Sequence, residues 1–331
     1  MRPGDTVAVV SPSGPPDAVR LARGVALLEG LGVRVVVGAN TMARQGLPYL
    51  AGSDAARAAD LQAAWCDPAV TTVFCSRGGY GAARVLDLLD WNAMRAAGPK
   101  TLVGSSDVTA LHHAFRVELG VATLHGPMPA CTMFSDERGP EPATWASLTG
   151  ALKGEPWSVA GTSMLSEALP GVASPINGPI AGPVTGPVTG PIAGPIAGPV
   201  TGPVTGPIAG GNLSVLASLC GTRWQPRFTG NIVFLEDVGE APYRVDRMLT
   251  QLLRAGAFEG VLGFALGSWE ECGDPYPVLR ERLLPLGVPV LAGLAVGHGT
   301  PQLSVWLGAL GAIDTESCSL AGQFSDVGTA R

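Results

Sequence analysis

Histidine is scarce in this chain, four residues in 331, and charge is thin at 15%. With 46% hydrophobic residues, that thin charge excludes a disordered polyelectrolyte and leaves enough apolar material for about two domains. Basic residues do not predominate. The 21 Lys and Arg against 27 Asp and Glu leave a net charge of −6, which argues against a nucleic-acid partner. Cys66, Cys75, Cys131, Cys220, Cys272 and Cys318 are widely spaced, without a Cys-x-x-Cys pair or a histidine at zinc-finger spacing. No disulfide framework and no metal site are expected. No secretory signal opens the chain: the apolar run Val7 to Val10 is short and gives way to Ser11-Pro12-Ser13-Gly14-Pro15-Pro16, so the expected location is cytoplasmic.

Asp, Glu, Lys, Arg and His are all absent from 168–222. This stretch is nevertheless no membrane span. From Gly178 to Ala209 it consists of eight tetrapeptides Gly-Pro-[Ile/Val]-[Ala/Thr], which hold 8 of the 46 Gly and 8 of the 29 Pro. Proline at every fourth position removes a backbone donor and clashes with the preceding turn, so a helix cannot form. The missing donor equally argues against a central strand. The glycine period is four rather than three, so this is not collagen. The repeat is read as an extended connector between domains.

On either side of the connector, short β-branched runs alternate with helical spacing, the pattern of an α/β chain. Thr6–Val10, Val33–Val37, Thr71–Cys75, Thr101–Val103 and Val121–Leu124 read as strands of a parallel sheet, with helices over Pro16–Leu31, Asp54–Trp65, Ala82–Leu89, Asp107–Leu119 and Glu141–Leu152. Beyond the repeat, helices over Asn212–Leu219 and Tyr243–Leu253 accompany strands at Asn231–Leu235, Val261–Leu266, Val288–Leu291, Leu303–Leu307 and Ala309–Asp314. The expected organisation is a parallel-sheet α/β domain over 1–155, a linker over 156–211 and a smaller mixed α/β domain over 212–331. Ligands of such sheets bind past the carboxyl ends of the strands.

Three strand ends carry reactive groups. Val103-Gly104-Ser105-Ser106-Asp107 runs from a strand through a small-residue turn into a helix. Such a turn exposes a serine hydroxyl and points a helix-start N–H at a developing oxyanion, although taken alone it reads as an ordinary N-cap. Phe234-Leu235-Glu236-Asp237 ends a strand in two carboxylates, which could orient a histidine or cap a helix and pair with Arg244 or Arg247. Gly297-His298-Gly299 places an imidazole between glycines, which suits a general base. His112, His113 and His125 lie in a helix and a turn, where structural roles fit better. Cys75 closes a strand with no base near it in sequence. Serine, carboxylate and histidine are the parts of a nucleophilic triad.

The motifs Arg77-Gly78-Gly79-Tyr80-Gly81, Val103-Gly104-Ser105-Ser106-Asp107, His125-Gly126-Pro127, Gly210-Gly211-Asn212-Leu213, Phe234-Leu235-Glu236-Asp237 and Gly297-His298-Gly299, in this order, resemble those of the LD-carboxypeptidases. These are cytoplasmic muramoyl-tetrapeptide carboxypeptidases, grouped with microcin-immunity peptidases. The resemblance implies a cofactor-free serine carboxypeptidase that removes the terminal D-alanine of a murein tetrapeptide, with Ser106 as nucleophile, His298 as base and Glu236 orienting it. It implies an oxyanion hole from the N–H of Asp107 and one from Gly79 or Gly78, with Gly79 favoured. It also implies a homodimer. Arg77 and Arg247 are candidates for the substrate carboxylate. The position before the nucleophile, usually aromatic in that family, is Ser105 here. A peptidyl-nucleotide substrate and a non-catalytic small-molecule binding protein are the alternatives; Trp269, near a strand end, could serve either as a stacking surface for a base or as core.

Overall fold

The structure, a computed structural model, describes residues 1–44, 46–165 and 203–323. Residues 178–202 of the repeat lie outside the described residues. In chain order the strands are β1 (Thr6–Val10), β2 (Arg34–Val37), β3 (Val70–Cys75), β4 (Thr101–Gly104), β5 (Thr123–His125), β6 (Trp157–Ala160), β7 (Ser163–Met164), β8 (Val204–Asn212), β9 (Ile232–Val238), β10 (Gly263–Glu270), β11 (Val290–Ala292), β12 (Val305–Leu307), β13 (Leu310–Asp314) and β14 (Ser319–Gly322). The helices are α1 (Ala18–Glu29), α2 (Asp54–Cys66), α3 (Ala82–Val85), α4 (Trp91–Ala96), α5 (Thr109–Leu119), α6 (Thr132–Ser135), α7 (Pro142–Leu152), α8 (Leu213–Ser218), α9 (Pro242–Arg254) and α10 (Tyr276–Leu283).

Two mixed α/β layers result. One sheet runs β12-β5-β4-β3-β1-β2 and is parallel except where β12 joins β5. The other runs β6-β14-β13-β8-β9-β10-β11-β7, with β8 to β11 parallel at its centre. Every residue of β1 is buried because helices cover both faces. The period of two sends Val7 and Val9 into one core and Ala8 and Val10 into another. In the second sheet β9 does the same, with Val233 and Leu235 on one side and Ile232 and Phe234 on the other. Local chemistry sets the helix starts: Asp17 and Ser53 accept the N–H groups of Arg20 and Ala56, and Glu141 caps α7 ahead of a proline.

Three expectations are corrected. Most of the described part of the expected linker is sheet, since Trp157–Ala160 and Ser163–Met164 are β6 and β7 and Val204–Asn212 is β8. The end of the repeat is therefore a central strand, despite Pro207. Proline is tolerated there because pairing of β8 with β9 begins only at Ile208, so Pro207 faces a ladder on one side alone. Asn212 then ends the strand and caps α8, so the helix expected from Asn212 starts one residue later. Finally, Val305–Leu307 leaves its own half of the chain and completes the first sheet against β5.

Candidate active site

Ser106 follows β4 with φ +61°, a left-handed conformation that costs an L-residue on the order of 1–2 kcal/mol. Strain of this kind is what a sharp strand-to-helix turn imposes on the residue it exposes. The turn is supported from below by His112, whose Nε2–H donates to the Gly104 carbonyl at 2.9 Å while Nδ1 accepts from the Thr123 hydroxyl at 2.8 Å. Burial pushes that imidazole down to about 4, so it stays neutral and structural. His125 is also buried and held well below its ordinary value by burial.

The carboxylate of Asp107 joins two further loops to the turn. It accepts the Ser13 hydroxyl at 2.6 Å and the Ala82 N–H at 2.8 Å, fastening the Arg77–Gly81 segment beside Ser106. Burial raises its carboxyl, against these hydrogen bonds and the charge of Arg57. The buried Arg57 guanidinium in turn binds the carbonyls of Pro12 and Gly81 and pairs with Asp54. So close is Gly78 to the serine that a Cβ on it would lie 2.7 Å from Ser106 Cβ and 2.9 Å from its Oγ. Neither the Gly79 N–H nor the Asp107 N–H takes part in the backbone hydrogen bonds of the described residues. Arg77 is exposed and its guanidinium lies over the Gly14–Gly79 backbone, 3.9 Å from where a Gly79 Cβ would sit.

Across from this turn, Glu236 is fully buried and accepts from His298 Nδ1 at 2.6 Å. Its other oxygen accepts Asn212 Nδ2 at 3.2 Å, and the same amide donates to Asp237 at 2.9 Å. The Asn212 N–H reaches back to Thr109 Oγ1 at 2.9 Å, three residues beyond Ser106, tying β8 to α5. Burial would depress His298, but the Glu236 hydrogen bond and the charges of Glu236, Asp237 and Glu270 outweigh it and raise the imidazole above its usual value. Asp237 is pushed up to about 6, chiefly by burial. Gly297 has φ +125°, and a Cβ there would meet Ser268 Oγ at 2.6 Å and Glu236 Oε2 at 2.7 Å, so only glycine fits.

Thus Glu236 and His298 are in direct contact, and Ser106, Asp107, Gly79 and Arg77 share one edge of the first sheet. Ser106 Oγ and His298 are not hydrogen-bonded to each other among the described residues. Arg247 is not brought to this cluster; it is exposed on α9, 5.9 Å from the centre of the Tyr243 ring. Trp269 lies within β10 and is buried in the core of the second domain, which is its packing role and leaves no stacking face. Cys75 is fully buried and its thiol is pushed far up by burial, so it is no nucleophile. Sequence reasoning missed Ser13, Arg57, Asn212 as a carboxylate donor, Ser268 and Gln302, all joined to the site by contacts distant in sequence. Among the described residues no group of three or more His, Cys, Asp or Glu could hold a metal, and no helix is long and apolar enough to cross a membrane.

The family profile of the LD-carboxypeptidase N-terminal domain matches residues 7–126, and that of the C-terminal domain matches residues 205–313, starting inside β8. A Streptomyces coelicolor protein bearing a provisional carboxypeptidase name is 43% identical over 97% of this chain and 94% of its own length. The murein tetrapeptide carboxypeptidase of Pseudomonas aeruginosa is 30% identical over 91% of this chain and 90% of its own. Among solved structures, the muramoyltetrapeptide carboxypeptidase of Oxalobacter formigenes superposes with a TM-score of 0.76 at 26% identity, covering 98% of this chain and 100% of that one. The microcin self-immunity protein, in its wild-type apo state, gives 0.78 at 26% identity, with 98% and 97% covered. By both profiles and by these relatives, the chain belongs to the LD-carboxypeptidase family of peptidases.

Proposed function

We propose that this peptidase is a cytoplasmic serine carboxypeptidase that hydrolyses the amide between an L-centre and the terminal D-alanine of a murein tetrapeptide. The observation that carries the reading is the buried Glu236 carboxylate on His298 Nδ1, together with the left-handed strand-to-helix turn at Ser106. In this scheme His298 Nε2 takes the Ser106 proton as Oγ attacks the carbonyl carbon, and Glu236 holds the Nδ1–H tautomer and offsets the imidazolium charge. The tetrahedral oxyanion is met by the N–H groups of Asp107 and Gly79, the latter in a left-handed turn at φ +115° beside Arg77. Collapse breaks the C–N bond, the imidazolium gives its proton to the leaving D-alanine amine, and water then attacks the acyl-enzyme with the same base. Arg77, exposed over the Gly79 turn, takes the terminal carboxylate; Arg247 has no contact that supports this role.

The names of the Pseudomonas and Oxalobacter relatives support a murein substrate. The burial of Trp269 removes the stacking surface that the sequence offered for a peptidyl-nucleotide, although the likeness to the microcin self-immunity protein keeps that substrate as the second arm of the test. The homodimer belongs to the same proposal and is read by light scattering. Mass spectrometry of the purified protein with a murein tetrapeptide and, separately, a peptidyl-nucleotide tests the substrate. Loss of one alanine from the first is expected; cleavage of the second alone would overturn the murein reading. Absence of any fluorophosphonate adduct would point to the binding-protein alternative.

A further inference from the structure

The loop bearing His298 is held from both domains. On its own side, Ser268 Oγ accepts the N–H of His298 at 2.8 Å and of Gly299 at 3.0 Å. The chain then crosses to the nucleophile domain. Gln302 N–H donates to Thr144 Oγ1 at 2.9 Å and Ser304 N–H to Ser147 Oγ at 2.9 Å, both on α7, before β12 pairs with β5. The Gln302 side chain, 3% exposed, donates from Nε2 to Ser105 Oγ at 3.1 Å, and Ser105 is itself 4% exposed. These two side chains are 197 residues apart in sequence. One is the immediate neighbour of Ser106 and the other lies four residues past His298.

We propose that the buried Gln302–Ser105 hydrogen bond is a clasp that sets the separation of nucleophile and base, making Ser105 and Gln302 positioning residues rather than Ser105 a second nucleophile. The inference rests on the Ser106–His298 reading above. Because Ser106 Oγ and His298 share no hydrogen bond of their own, their spacing is fixed by the backbones that carry them. The path Ser106–Ser105–Gln302–His298 is a direct side-chain link between those backbones. Ser105 cannot be activated where it stands, since the group on its hydroxyl is a carboxamide, which is not a base in either orientation. An ångström of misplacement at a nucleophile–base pair costs about a hundredfold in rate.

The test is kinetic, on the full chain with a murein tetrapeptide. Ser105→Ala and Gln302→Met should each lower kcat about 10- to 100-fold with KM little changed and the acid limb of the pH profile in place, because the His298–Glu236 pair is untouched. The double variant should lose no more than the worse single one. Ser105→Thr, which keeps the hydroxyl, should restore most of the rate, and the fluorophosphonate adduct of Ser105→Ala should remain on Ser106. Thermal unfolding of each variant separates misplacement from misfolding; if Gln302→Met unfolds, the Ser105→Ala and Ser105→Thr pair carries the test. Unchanged kcat, multiplicative losses in the double variant, or an adduct mapped to Ser105 in the native protein would overturn the clasp. Full turnover by Ser106→Ala would instead remove the reading beneath it.

Discussion

Replacing Glu236 by Gln keeps the shape of a fully buried side chain and removes its charge. The lost interaction is the 2.6 Å bond to His298 Nδ1, a charge-assisted hydrogen bond in a dry site. Such bonds contribute about 1.5–3 kcal/mol, so the charge alone accounts for roughly a 10- to 150-fold drop in kcat. If the new amide turns its NH2 to Nδ1, the base is trapped in the wrong tautomer and the loss approaches about 10⁴-fold, as in a serine protease whose triad aspartate becomes asparagine. The pH profile gives an independent reading. In the native protein burial lowers the imidazole but Glu236, Asp237 and Glu270 raise it further, and the net value is above 6.5. In the proposed mechanism the neutral imidazole is the base, so the acid limb of kcat/KM should lie above pH 6.5. In Glu236→Gln burial gains the upper hand and the limb should move to lower pH. Linkage gives the same sign: a raised histidine contributes stability that is complete below its unfolded value and lost as pH rises through the folded one. The variant should therefore be most destabilised relative to native below about pH 6.5. A kcat within threefold of native, at roughly 0.6 kcal/mol, or an unmoved limb would refute the role of Glu236.

Gly78→Ala places a methyl 2.7 Å from Ser106 Cβ and 2.9 Å from its Oγ, so turnover and fluorophosphonate labelling should fall by about 10²-fold or more while the melting temperature changes little; retained labelling would contradict the packing. Asp237, raised from 3.8 to about 6, makes the native fold lose on the order of 3 kcal/mol as pH rises through that interval, and Asp237→Asn should flatten the loss in urea titrations at stepped pH. Deleting residues 178–209 removes Val204–Ala209, including the buried Ile208 and Ala209 at the centre of the second sheet, so circular dichroism should show loss of the folded state; a cooperative melt would contradict the assignment of β8.

The site motifs were legible in the sequence because each is local: Ser106 and Glu236 follow or close an apolar run that forms a buried strand, and His298 stands between two glycines in the loop past β11. Their supports were not. Ser13 and Asp107 are 94 residues apart and Gln302 and Ser105 are 197, and no pattern along a chain encodes such pairs. Gly78 enters the sequence reading only as a second candidate for the oxyanion hole, whereas in the structure its lack of a side chain makes room for the serine. Pro207 argued against a strand at the end of the repeat, because the sequence does not reveal that pairing with β9 starts one residue later. Likewise β12 reads as one more strand of its own domain, and only the ladder with β5 shows that it crosses to the other.

The proposed function rests on Ser106 as the nucleophile of a peptidase that releases a terminal D-alanine. Release of D-alanine from a murein tetrapeptide by native protein and by Ser106→Ala, with circular dichroism confirming that both are folded, tests it most directly. Turnover by the native protein and none above background by the variant is expected. Undiminished release by Ser106→Ala would contradict it.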